Sequence, residues 1–114
     1  MAEAVEQKQY WIIATVENED RGSELESRNA QLAAEHQAYL KQLDEQGILL
    51  ITGAARDEHG TRAGTGYIVI EAATRAEAEA IAAKEPYIAN GFRILQLIPW
   101  RARLGRAARV APSA

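Results

Sequence analysis

Leu32, His36, Leu40 and Leu43 recur at spacings of 4, 4 and 3, the repeat that places side chains along one stripe of an α-helix. Glu35, Lys41, Gln42 and Glu45 occupy the other side. The stripe predicts a long helix from about Glu24 to Gln46, opened by the capping-box spacing Ser23-Glu24-Leu25-Glu26 and stopped by Gly47. Ahead of it, residues 9–17 are rich in aromatic and β-branched types and read as a strand, with Asn18 to Gly22 as a polar link. Behind it, Ile48 to Thr52 and Tyr67 to Ile70 read as two more strands, separated by the polar connection 54–64. Thr74-Arg75-Ala76-Glu77 is a second capping box, opening a short helix whose inner face is Ala78, Ile81 and Ala82. Pro86 ends that helix, because the residue before a proline is pushed out of helical geometry. Ile88 to Gly91 reads as a turn and Phe92 to Trp100 as the last strand.

The order strand, helix, strand, strand, helix, strand is the split βαβ pattern of an α+β, ferredoxin-like subunit. Both helices are expected on one face of a four-stranded antiparallel sheet. The strands do not alternate between apolar and polar residues: Trp11 to Ala14, Ile48 to Ile51 and Ile68 to Ile70 are unbroken apolar runs. Strands that are apolar on both sides call for cover on both sides. The helices cover one side, so the expectation is a homodimer through the other sheet face, related by a two-fold axis. The competing reading is a monomer with a locally apolar sheet.

A length of 114 residues fits one domain, read as 1–100 with a basic tail over 101–114. Arg101, Arg103, Arg106 and Arg109 lie in that tail, which holds no acid, so the overall charge of −3 conceals an acidic body. An acidic body argues against a nucleic-acid-binding domain, which shows a basic face. No apolar run reaches the ~20 residues of a membrane helix. The start, Met1-Ala2-Glu3-Ala4-Val5-Glu6, lacks the basic end and apolar run of a signal peptide, and the expected location is cytoplasmic. Without cysteine there is no disulfide framework and no thiolate nucleophile.

Candidate chemistry centres on His36. An imidazole on an apolar stripe is either held neutral by a hydrogen bond or lines a cavity in which protons move. His59, in the polar connection beside Gly60, reads as exposed, and two isolated histidines make no metal site. Ser23 and Ser27 have no histidine at a nucleophile spacing. Asp44, eight residues beyond His36, is a surface charge or a second carboxylate on the same side. Gly64-Thr65-Gly66 is too short for a phosphate loop. Tyr39, three residues from His36, is the aromatic best placed to line a pocket, and Arg93, at a strand start, is either a surface charge or a group that orients an anionic substrate.

The runs His36-Gln37-Ala38-Tyr39-Leu40-Lys41-Gln42-Leu43 and Gly47-Ile48-Leu49-Leu50-Ile51-Thr52-Gly53 resemble the histidine-helix-strand block of the YCII-related proteins. Ala76 to Ala82, then Glu85-Pro86-Tyr87 and Gly91-Phe92, resemble that family's second helix and its Asp-Pro-Phe/Tyr turn, and Ile98-Pro99-Trp100 resembles its closing strand. The resemblance spans about residues 9 to 100. It implies a dimeric α+β barrel and a small-molecule pocket between helices and sheet. Members are proposed to be enzymes from a recurring histidine and aspartate, and at least one relative is a dehydrochlorinase acting on a chlorinated hydroxyaromatic. The fold is shared with muconolactone isomerases and small monooxygenases. Two departures stand out: the aspartate is Glu85, one methylene longer, and Ala54 follows Gly53 where the family often has proline.

On that resemblance His36 and Glu85 form a pair. A carboxylate fixes a histidine's tautomer and favours its charged form. Glu85, at the negative end of the second helix, in turn needs a cation beside it. The rival arrangement is a structural histidine bonded to backbone, with Glu85 a solvated charge. The first expectation is therefore a lyase, isomerase or dehydrohalogenase without cofactor or metal, acting on a small oxygenated cyclic or aromatic compound. His36 is its acid/base, Glu85 the orienting partner, and Tyr39, Tyr87 and Arg93 the substrate contacts. The alternative is a non-catalytic dimeric binding or accessory module, with a cofactor-free monooxygenase as a third option.

Overall fold

The computed structural model describes residues 8–106, the side chains of residues 62 and 63 excepted. Strand β1 (Tyr10–Glu17) leads through α1 (Ser23–Glu26) into α2 (Asn29–Glu45). The hairpin of β2 (Leu49–Arg56) and β3 (Arg62–Glu71) follows, then α3 (Arg75–Ala83), α4 (Pro86–Ala89) and β4 (Arg93–Trp100). The strands form one antiparallel sheet in the order β2-β3-β1-β4, the ferredoxin-like arrangement expected. Arg109, one of the four tail arginines, lies outside the described residues. No helix of the described chain is long and apolar enough to cross a membrane.

The register explains the core. Trp11 faces Ile70 on one side and Pro99 on the other, and Ile13 faces Ile68 and Leu97. Their helix-side faces pack with Leu40 and Leu43 of α2 and Ala78 and Ala82 of α3. The alanines let α3 approach closely, and the Trp11 indole N–H is satisfied by the Ala72 carbonyl at 3.0 Å. A second, smaller cluster joins Leu32 of α2 to Tyr87 and Phe92. His36 sits on the α2 stripe between Leu32 and Leu40, so it lies where one cluster ends and the other begins. On the opposite sheet face Val16, Ile51, Tyr67, Ile94 and Trp100 are exposed, Ile51 by 64%. The unbroken apolar runs thus put oily side chains on both faces.

Three expectations about local structure are corrected. The long helix from Glu24 is two helices, interrupted at Ser27 and Arg28. Gly22 caps α1 without a side-chain bond, and Glu26 pairs with Arg21 instead of reaching back to Ser23. Arg21 is held in place for this by stacking on the Phe92 ring at 4.1 Å, a contact from the far end of the chain. The connection 54–64 is mostly strand, because hairpin pairing satisfies the backbone whatever the side chains. Only Asp57 to Thr61 turns, with Asp57 Oδ1 accepting from the His59 and Thr61 amides. Of the turn expected at Ile88 to Gly91, Asn90 and Gly91 do turn, while Ile88 and Ala89 close α4, which has Pro86 at its first position, where a missing N–H costs nothing.

The second capping box forms with Thr74 as the cap, its return bond displaced by one residue. Thr74 Oγ1 accepts from Glu77 N at 3.2 Å, while Glu77 Oε2 accepts from Ala73 N at 3.0 Å. Thr74→Ala is expected to cost about 1 kcal/mol, read as a lower urea midpoint with an unchanged slope. An unchanged midpoint would show that the cap contributes nothing.

Candidate functional site

The sheet floor under the N-terminal half of α2 is made of small residues. Thr15 of β1 faces Gly66 of β3, and Gly66 faces Ala54 of β2. Four residues back along β1 the same three strands present Trp11, Ile70 and Leu49. Side-chain bulk therefore shrinks along the sheet while the helix layer continues above it, and a cavity of about 190 Å³ is left. Gly66 has a second role. A Cβ there would stand 3.3 Å from Thr15 Oγ1, so any side chain at this position crowds the threonine and fills the hollow.

His36 overhangs the cavity from α2, and Glu85 reaches it from the other side of the helix layer. Glu85 is the N-cap of α4, with an extended backbone (φ −65°, ψ 125°) that turns its side chain back over the first turn. Its Oε2 accepts from the Ile88 amide at 2.9 Å and its Oε1 from His36 Nδ1. Both oxygens of a carboxylate only 2% exposed thus have a partner, as burial of a charge requires. A carboxylate that accepts takes the Nδ1 hydrogen, and in that tautomer the lone pair of the imidazole lies on Nε2. Nε2 has no hydrogen-bond partner among the described residues, and the His36 side chain remains 20% exposed at the cavity.

An aromatic wall holds the pair in place. The Tyr87 ring lies 4.9 Å from the imidazole, tilted by 47°, and Phe92 backs Tyr87 at 5.1 Å. The Arg93 guanidinium sits 5.7 Å from the Tyr87 ring centre, and its Nη1 donates to the Gly64 carbonyl at 3.3 Å.

Of the residues picked from sequence, His36, Glu85, Tyr87 and Arg93 all line this one cavity. Tyr39 is not among its lining residues: its hydroxyl donates to the Ile81 carbonyl at 2.7 Å and its ring packs on the main core. Burial, and secondarily the Glu85 carboxylate, push the Tyr39 phenol above its ordinary value. The residue that does follow His36 along the wall is Leu40, at i+4, the tighter helical neighbour. Asp44 is exposed, and His59 pairs with Glu58 at 3.3 Å far out on the hairpin turn. Among the described residues no three His, Asp or Glu side chains gather as metal ligands. Thr15 and Gly66 were not picked out. A polar residue at the third inward position of β1, after Trp11 and Ile13, was the available signal for Thr15.

An antiparallel sheet with helices on one face, enclosing a small cavity with a histidine and a buried carboxylate, defines an α+β protein of ferredoxin-like fold. Residues 9–101 match the family model of the YCII-related domain, and the chain belongs to that family. No curated protein matches it in sequence. Among solved structures it is similar to the 5-chloro-2-hydroxyhydroquinone dehydrochlorinase of Burkholderia phenoliruptrix in complex with 2,5-dihydroxybenzoquinone. That likeness has a TM-score of 0.56 at 20% identity, covering 85% of this chain and 96% of the other, and is a likeness of fold.

Proposed function

We propose that this protein is an enzyme that moves protons on a small oxygenated cyclic or aromatic compound without a cofactor, as a lyase, isomerase or dehydrohalogenase. The observation that carries the reading is the buried Glu85 carboxylate on His36 Nδ1, with Nε2 left for the cavity. In this scheme Nε2 takes a proton from a C–H or O–H of the bound compound. The imidazolium so formed is stabilised by the carboxylate on its other nitrogen. In an isomerisation the same proton returns at another atom. In a dehydrohalogenation the electron pair released expels halide as the leaving group, and the proton passes from His36 to solvent. Tyr87 offers a flat face to the ring of such a compound, and Arg93 a charge. The dehydrochlorinase of similar fold, solved with a dihydroxybenzoquinone, supports a ring compound as the first class to try.

The test is a panel of oxygenated monocycles, 5-chloro-2-hydroxyhydroquinone among them, incubated with the protein in deuterated water. Deuterium incorporation is followed by NMR and chloride release by ion chromatography. The expected result is protein-dependent exchange or chloride release on at least one member. A panel that reacts no faster than in buffer would falsify the reading.

The apolar outer sheet face supports a homodimer built by apposing two such faces, since an oily patch of this extent on a free monomer is costly. Wild-type protein is expected to sediment at twice the chain mass, and Ile51→Asp combined with Ile94→Lys to sediment as a monomer. A wild type that sediments as a monomer at micromolar concentration removes the dimer.

A further inference from the structure

The geometry points to an oxyanion subsite formed by Thr15 and Arg93 on the sheet side of the cavity, taking a single-ring compound with one ionised oxygen, a phenolate, enolate or carboxylate. The inference rests on His36 as the proton carrier and adds what the opposite wall of the cavity does.

Thr15 is 5% exposed, and its hydroxyl makes no hydrogen bond among the described residues. A buried polar group without a partner is costly and calls for an occupant. The neighbouring inward positions of β1 are Trp11 and Ile13, so an apolar residue would fit the strand; a hydroxyl instead faces the cavity, and Gly66 keeps the space in front of it open.

Arg93 lies on β4 opposite Glu17, two residues along the register from the pair Thr15 and Leu95. Both side chains therefore project from the same end of the sheet, on the helix side, into the same cavity. The guanidinium has five N–H donors, of which one Nη1 contact is used, to Gly64. It has no carboxylate partner among the described residues. Glu85 does not serve as one, because both its oxygens are taken by Ile88 and His36. The guanidinium thus reaches the cavity as a cation with no carboxylate bonded to it, in surroundings where Coulomb attraction is less screened than in water.

Size narrows the class. A cavity of about 150 Å³ accommodates benzene, and this one measures about 190 Å³. One six-membered ring with a few substituents fits this space.

The arrangement divides the work between two walls. The helix wall carries the proton on His36 and the sheet wall carries the negative charge. When Nε2 removes a proton from a ring carbon next to a carbonyl, the C–H pair becomes a C=C bond. The carbonyl π pair then moves onto oxygen, where Thr15 and Arg93 donate to it. The reverse step re-forms the C=O bond and returns the proton from His36 to carbon. Donors aimed at the place where charge develops stabilise that state most.

The experiment measures equilibrium binding of 4-nitrophenolate at mildly alkaline pH, by its absorbance shift and by calorimetry, against 4-nitroanisole, the same ring with its oxygen capped. Wild-type protein should bind the phenolate at least about tenfold more tightly. Arg93→Met should weaken phenolate about 10- to 100-fold, in line with loss of a hydrogen bond to a charged group. Thr15→Val should weaken it severalfold, and both variants should bind the anisole as wild type does. Equal wild-type affinity for the two probes overturns the subsite without recourse to any variant, as does failure to bind phenolate at millimolar concentration. Deuterium exchange on the same proteins separates the two proposals. Exchange that depends on His36 without phenolate preference sinks the subsite alone; phenolate preference without such exchange sinks the enzyme reading alone.

Discussion

Glu85→Ala is expected to lower stability by about 2–4 kcal/mol, a drop in Tm of roughly 10–20 °C for a domain of this size. The side chain is buried, with one bond to the helix it caps and one to α2. Its removal strands the Ile88 amide at the start of α4 and leaves His36 Nδ1 without an acceptor. It also opens a void beside Tyr87 in the smaller core cluster. Glu85→Gln separates the contributions. The amide keeps the volume and its oxygen can still accept from Ile88, so most of the stability should return. The amide nitrogen then faces Nδ1 as a donor, which forces the imidazole proton onto Nε2 and removes the lone pair from the cavity. Nitrogen-15 NMR of His36 reads this tautomer directly. Glu85→Asp keeps a good capping residue but is one methylene too short to serve Ile88 and His36 together, so it should fall between the two. A Tm unchanged in Glu85→Ala would mean that the carboxylate neither caps α4 nor holds the histidine.

The parts of this arrangement that could be read from the chain are those set by local periodicity. The Leu32–Leu43 stripe and the alanine face of α3 announce burial by spacing alone, the apolar runs of three strands announce extended structure, and element order then leads to the sheet. The break between α1 and α2 could not be read that way, because it depends on Arg21, Glu26 and Phe92 meeting across about seventy residues. Glu85 looked like the last charge of one helix and is the first cap of the next; Pro86 after it was the available sign. Tyr39 shows how little a spacing of three residues says about direction: it turns to the Ile81 carbonyl of α3 while His36 turns to the cavity. The cavity floor was least legible of all. Thr15, Gly66 and Ala54 belong to three strands, and only their register reveals that the smallest residues lie side by side.

His36→Gln should cut turnover on whichever monocycle reacts by about 10²- to 10⁴-fold, the range for loss of a general acid/base, with kcat falling and KM little changed. Stability should hardly move. The glutamine amide can donate to Glu85 as Nδ1 does, so the buried carboxylate keeps its second partner, and the side chain is partly exposed in any case. What the amide cannot do is accept a proton at neutral pH and give it back. The same reasoning fixes the outcome of the double variant. If Glu85 acts on the reaction only by holding the imidazole, then Glu85→Gln combined with His36→Gln should be no slower than His36→Gln alone, because residues that work as one unit are not additive. A double variant slower by a further tenfold would give Glu85 contact with the substrate itself, and a His36→Gln single variant retaining more than about a tenth of wild-type turnover would take the histidine out of the reaction.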